Sequence, residues 1–220
     1  MTKKVLNQNA KYVQQLIDTI EPSFIFDNEP INRFETIKEN NEISIDNKQQ
    51  KLSKLREKIN SIENCNLKKF SKNLIMGDGK FNSPIMLIGE TPGELEENSG
   101  LSFQGPVGEL LKKMLQAIDI KISEIYLTYS INFRPKDDKK PTAQEIKRYS
   151  IFLKEHISII DPKIVILMGS TAMETVTGLN NKISNERGKW KEIILKNKTF
   201  PLMITFSPSY LIRFPDNKKY

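Results

Sequence analysis

Cysteine and histidine are almost missing from this chain: its 220 residues include one of each, Cys65 and His156. A lone cysteine excludes an internal disulfide and any metal site made of cysteines alone, and a lone histidine leaves little room for zinc or triad chemistry. No apolar run approaches the roughly 20 residues of a membrane span, so no membrane association is expected. The N-terminal stretch MTKKVLNQNAKYVQQL has neither an apolar signal core nor a small-residue cleavage site, which places the protein in the cytoplasm by expectation. Walker and dinucleotide-binding glycine patterns do not occur, so a nucleotide or phosphate-binding module is a minor alternative. There is no internal repeat.

What is present is ordinary globular text, with 38% hydrophobic and 28% charged residues. This length fits one α/β domain with an appended segment. The net charge of +7 suits a nucleic-acid partner, because Lys and Arg gain from counterion release at phosphates. Many of the lysines stand in Asn/Lys/Ile-rich stretches, where they read equally well as solvated surface.

Tyr12, Val13, Leu16, Ile17 and Ile20 fall at helical spacing, which predicts a short helix over 8–20. Residues 26–50 are polar, contain Pro30 and lack sustained periodicity, as a linker or irregular segment does. Leu52–Ile62 is read as a second helix, with Ser53 as its N-cap. These elements make residues 1–70 an N-terminal helical extension and leave 71–220 as the main domain.

From Ser83 onward, short apolar runs alternate with amphipathic stretches, the pattern of parallel β/α units. Expected strands are Ile85–Ile88, Ile125–Ile131, Ile164–Met168 and Leu202–Phe206. Expected helices are Gly105–Ile118, Thr142–Ile160 and Ser170–Thr177, the second opening on the capping-box spacing Thr142–Glu145. The expected architecture is three-layer α/β/α around a central, four-stranded, mostly parallel sheet. Such sheets bind ligands at the carboxyl ends of their strands, where this chain has GETPGELEENSGLSFQGPVG, NFRPKDDKKP, GSTAMETVTG and SPSYLIRFP.

The first of these loops is the most distinctive. Its glycines permit sharp turns and close ligand approach, and its carboxylates can position a water; equally, they can favour the next helix's N-terminus. In the last loop, Ser207, Ser209, Tyr210 and Arg213 have side chains suited to phosphate contact. Leu211 is a candidate wedge for the gap left by an extruded base, or else simply core cover. Arg134-Pro135, with Lys136, Lys139 and Lys140, is a candidate DNA contact or solvated surface. His156 is read as a partly exposed structural histidine, Cys65 as a buried small hydrophobe, and the Gly188 turn with a packed Trp190 as uninformative by itself.

The loop Gly89-Glu90-Thr91-Pro92-Gly93, with Glu96, Glu97, Gly100 and Phe103, resembles the first motif of the family 4 uracil-DNA glycosylases. The resemblance continues in order through Tyr126-Leu127-Thr128, Arg134-Pro135, Pro141, Glu145, Asp161-Pro162-Lys163, Gly169, Arg187-Gly188-Lys189-Trp190 and Pro208-Ser209-Tyr210-Leu211-Ile212-Arg213. Glu29-Pro30-Ile31-Asn32-Arg33-Phe34 is similar to a segment of the cluster-less α-proteobacterial branch. The resemblance implies hydrolysis of the bond between uracil and deoxyribose after base flipping. Glu90 and Glu96 then stand where carboxylates organise water. Phe103 stands where a ring stacks on uracil, and Gly89, Thr91, Pro92 and Gly93 border the pocket. It also implies that Arg187–Trp190 helps to cover the site.

Two positions depart from the family pattern. Tyr129 replaces an asparagine that reads the uracil edge, and Ser207 replaces a histidine that donates to the uracil oxygen. Asn132, three residues on, is expected to point away from the Tyr129 face. A non-catalytic or altered-specificity DNA-binding protein on the same fold therefore stands beside the enzyme reading. Cluster-bearing members hold iron and sulfur with four cysteines, whose places fall at Ile62, Cys65, Phe133 and Tyr149. No cofactor, metal or cluster is therefore expected, with Phe133 and Tyr149 filling the space. DNA is the expected partner of a monomeric protein.

Overall fold

In the computed structural model, secondary structure is described for residues 33–219 and side chains for 46–218. The helix expected over 8–20 and most of the Glu29–Phe34 segment lie outside the described residues. The chain divides into two compact units, Met1–Asn40 and Asn41–Tyr220. The described part of the first, residues 33–40, is helical; everything from Asn41 onward belongs to the second.

The elements run α1 (Arg33–Asn60), α2 (Asn66–Phe70), β1 (Asp78–Gly79), β2 (Ile85–Gly89), α3 (Glu94–Ser99), α4 (Gly105–Gln116), β3 (Tyr126–Tyr129), α5 (Ala143–Ile160), β4 (Ile164–Met168), α6 (Ser170–Thr177), α7 (Ile183–Glu186), β5 (Trp190–Leu195), β6 (Lys198–Thr205) and α8 (Pro208–Arg213). The sheet has six strands in the order β1-β3-β2-β4-β6-β5. The four expected strands form its parallel centre. β1 and β5 add antiparallel edges. Four strands therefore becomes six. β1 is two residues long, too short for a periodic signal, and β5 carries Trp190 and Ile194 on an exposed face.

Alternation along the strands builds the layers. Met86 and Ile88 of β2, with Val165 and Leu167 of β4, face a core completed by Tyr149, Leu153 and Ile157 of α5. Leu87, between them, faces the opposite side with Leu127, Tyr129 and the α4 residues Leu111 and Leu115. Helix α5 starts with the expected reciprocal cap: the Glu145 amide donates to Thr142 Oγ1 at 3.3 Å, and the Thr142 amide to Glu145 Oε2 at 2.8 Å.

Two N-terminal expectations are corrected. A single helix, α1, spans most of the region read as a linker, and Ser53 lies mid-helix instead of capping it. The polar text hid a helix whose apolar positions are sparse. Leu52, Leu55 and Ile59 are buried in the same core as the sheet, and the second unit starts at Asn41. His156 is also more deeply placed than expected. It is fully buried beside Tyr126, with Nε2 2.9 Å from Oη, and burial pushes its pKa down to about 3.

Candidate active site

A cleft of about 520 Å³ lies at the carboxyl ends of the parallel strands, within the size range of small-ligand sites. Glu90, Thr91, Pro92, Gly93 and Glu96 of the first loop line it, with Phe103, Tyr129, Ser207, Ser209, Tyr210 and Arg213. Chain segments far apart in sequence thus meet in one place. Gly89 lies beneath the rings: a Cβ there would come within 2.8 Å of Phe103 Cζ and 2.9 Å of Tyr129 Cδ1. Only glycine permits that approach.

Glu90 follows β2 and reaches the start of α6. Its Oε1 accepts from the Thr171 amide at 3.0 Å and from Ser170 Oγ at 3.2 Å, and a helix N-terminus suits an anionic side chain. Oε2 accepts no hydrogen bond among the described residues. Gly169, at φ +105°, leaves space for the carboxylate, since a Cβ there would stand 2.3 Å from Glu90 Cδ. Gly169, Ser170 and Thr171 are functional candidates that sequence reasoning did not single out by role. The available signal was a glycine between a buried strand and a helix.

Glu96 is placed differently. Oε2 accepts from the Gly93 amide at 3.0 Å and Oε1 from the Gln104 amide at 2.8 Å, so both oxygens are spent on closing the loop around α3. Its geometry is that of a clamp. The clamped loop holds Phe103 at φ +51°, a left-handed conformation that costs a bulky residue about 1–3 kcal/mol and tends to be found at functional sites.

Tyr129 meets Phe103 in two ways. The rings stack with centroids 4.8 Å apart and planes 24° from parallel, and Tyr129 Oη accepts from the Phe103 amide at 2.9 Å. Burial, then the negative charge of Glu96, push the Tyr129 phenol far above its usual range, so it stays neutral. Ser207 caps α8: its Oγ accepts from the Tyr210 amide at 3.2 Å and pairs with Ser209 Oγ at 3.0 Å. Asn132 is occupied elsewhere, donating Nδ2 to Ile75 O at 2.8 Å.

Several residues are not where the sequence suggested. Arg134 does not line the cleft. Its guanidinium forks onto Asp138, Nε to Oδ1 at 2.8 Å and Nη2 to Oδ2 at 3.1 Å, and its Nη1 donates to Glu97 Oε2 at 3.3 Å. A phosphate must displace these carboxylates to reach it. Leu211 is buried at 7% exposure and is no free wedge; its exposed neighbours are Ile212 and Phe214. Trp190 opens edge strand β5 at 59% exposure and is not among the residues lining the cleft, whereas Arg187 lies over the cleft-lining Phe206 ring.

The Arg134 cluster carries a pH dependence. Burial raises the Glu97 pKa, but the Lys72 amide, the Ser71 hydroxyl and Arg134 outweigh burial and hold it below its ordinary 4.5. A carboxylate lowered by folding contributes stability above its unfolded value and loses it as pH falls through the folded value. The folding free energy therefore declines below pH 4.5, and Glu97→Gln flattens part of that decline. At neutral pH it costs about 1–3 kcal/mol by leaving Arg134 short of a partner. Urea midpoints of both proteins across the acid range check this.

The uracil DNA glycosylase superfamily model matches residues 76–220. Similar relatives include a type-4 uracil-DNA glycosylase of Thermotoga maritima, 31% identical over 74% of this chain and 83% of that protein. Another, from Sulfurisphaera tokodaii, is 31% identical over 76% of this chain and 79% of its own length. A third, from Pyrobaculum aerophilum, is 28% identical over 74% and 86%.

These matches correct the expectation of no cofactor. The relatives are type-4 enzymes, the kind to which the sequence resemblance attaches an iron–sulfur cluster, so cofactor-free operation is withdrawn as a property of this chain. At the four positions where the resemblance puts the cluster's cysteines, the chain has Ile62, Phe133, Tyr149 and one thiol. Cys65 Sγ lies 3.5 Å from Tyr149 Oη, and Phe133 meets Tyr149 edge-on. These side chains do not match a four-thiolate ligand set, and no chemical step is assigned to a metal. With the superfamily model covering most of the chain and type-4 relatives matched along most of their length, the chain belongs to the uracil DNA glycosylase superfamily and, within it, to the type-4 family.

Proposed function

We propose that this protein is a DNA repair enzyme that hydrolyses the N-glycosidic bond of uracil in DNA, acting as a cytoplasmic monomer. The observation that carries this reading is Glu90, with one oxygen fixed by the start of α6 and the other without a hydrogen bond among the described residues, at the edge of a cleft beside Phe103. The nucleotide leaves the helix and its base enters the cleft. Glu90 Oε2 orients a water toward the sugar carbon, and its charge stabilises the oxocarbenium-like sugar as the bond breaks. Phe103 supplies the ring on which the base stacks. Glu96 acts as a positioning residue through Gly93 and Gln104. Arg213, Ser209 and Tyr210 hold the DNA backbone beside the cleft. The names of the relatives support DNA as the partner. The Glu29–Phe34 segment supports an α-proteobacterial-type branch.

One observation favours a second reading, in which the fold binds DNA with altered base specificity or without turnover. Tyr129 lies flat on Phe103 where a pyrimidine is expected to stack, and Ser207 is engaged as a helix cap. A strand-cleavage assay on a uracil-containing oligonucleotide, after alkaline treatment, separates the two readings. In the enzyme reading, Glu90→Gln lowers excision by about 10²-fold or more while leaving DNA binding in place. Binding without excision by the parent chain supports the second reading, and equal excision by parent and variant removes Glu90 from the mechanism.

A further inference from the structure

From the residue after β6 to the residue after α8 the chain carries three aromatic rings at intervals of four residues, Phe206, Tyr210 and Phe214. Phe206 and Tyr210 lie 4.8 Å apart, centroid to centroid, as do Tyr210 and Phe214, with planes tilted by 35° and 39°. The Arg187 guanidinium closes the inner end, 4.5 Å over the Phe206 ring. Phe206, Tyr210 and Arg213 line the cleft, whereas Phe214 does not. The stack therefore runs from the cleft wall outward. Its last ring is open: Phe214 is 51% exposed, and Ile212 beside it is 40% exposed. The Tyr210 hydroxyl accepts from Asn217 Nδ2 at 3.2 Å, which fixes the middle ring.

We infer that this stack is a landing platform for single-stranded DNA, on which an unpaired base next to the one in the cleft stacks on the outer face of Phe214 while Arg213 takes the adjoining phosphate. The inference rests on the DNA-binding reading above and adds a preference to it. A duplex keeps its base faces inside its own stack, so only an unpaired strand has a free face to offer. Stacking on an aromatic side chain is tolerant of sequence, so no base preference at that position follows. Arg213 lines the cleft beside the stack and Arg187 lies over its inner ring, so a cation stands near each end for the backbone of a bound strand; the cleft-lining Lys139 and Lys140 are paired with Asp137 and Glu174.

Fluorescence anisotropy on the full chain tests this, with a labelled oligothymidylate and a labelled hairpin duplex of the same length as probes. Phe214→Ala weakens single-strand binding by about 5- to 100-fold and duplex binding by no more than about twofold, and Phe214→Trp restores the single-strand affinity. The slope of log affinity against log salt is unchanged in Phe214→Ala, because no phosphate contact is lost, whereas Arg213→Ala reduces it by about one unit. Unchanged single-strand affinity in a folded Phe214→Ala, or an equal loss on both probes, overturns the platform and leaves the DNA-binding reading standing. A parent chain that binds the duplex alone does the same. A parent chain that binds neither probe overturns the DNA-binding reading and the platform with it.

Discussion

Tyr129→Asn combined with Ser207→His raises uracil excision at least about tenfold over the parent chain, a cautious figure given that one oxyanion donor is commonly worth 10²–10³ in rate. The first change removes the ring stacked on Phe103 and supplies an amide with both a donor and an acceptor for the uracil edge. The second supplies a donor for the uracil oxygen that gains charge as the bond breaks. The pair is informative because groups serving one transition state are often non-additive, so either change alone can have little effect. Both have structural costs. Tyr129 is 3% exposed, and replacing it leaves a cavity and frees the Phe103 amide to meet water in the opened cleft. Losing the Ser207 cap costs about 1 kcal/mol. Near-UV circular dichroism must therefore show a folded double variant before its rate is read. Glu90→Gln in that background lowers the rate again. A folded double variant that binds DNA and excises no more uracil than the parent sinks the idea of a latent uracil site.

Gly169→Ala abolishes most of whatever excision the chain performs, by about 10²-fold, without removing a group that reacts. The added Cβ lands 2.3 Å from Glu90 Cδ and 2.6 Å from Oε2, and the residue sits at φ +105°. Either the carboxylate leaves the Thr171 amide or the backbone shifts. The backbone conformation alone costs about 1–3 kcal/mol for a residue other than glycine, so the midpoint of thermal unfolding falls as well. The diagnostic is a double-mutant cycle on excision: in a Glu90→Gln background, Gly169→Ala adds little further loss of rate, because the group it displaces has already lost its charge. Full additivity of the two losses assigns the effect of Gly169 to something other than Glu90.

Much of the scaffold was legible because its signals are local. Strands β2 and β4 are short apolar runs buried on both faces, and the Thr142–Glu145 cap is a reciprocal pair three residues apart. The edge strands were not legible, because β1 has two residues and β5 turns Trp190 and Ile194 to solvent. Of α1 only the stretch from Leu52 onward was legible, as the helix read over Leu52–Ile62; the polar turns before it carry no periodic signal.

The sequence by itself determined the alternating β/α order and the four loops gathered at the strand ends, since each of these rests on neighbouring residues or fixed spacing. Only the tertiary structure decided what the side chains in those loops do. Glu90 and Glu96 read as an equivalent pair of carboxylates, yet one is held at a single oxygen by the start of α6 and the other spends both oxygens on its own loop. Arg134, a candidate DNA contact or solvated cation, is enclosed by Asp138 and Glu97, while Leu211, a candidate wedge or core cover, is buried. Hydrogen-bond partners and burial come from chain segments far apart in sequence, and no local pattern encodes which of them will meet.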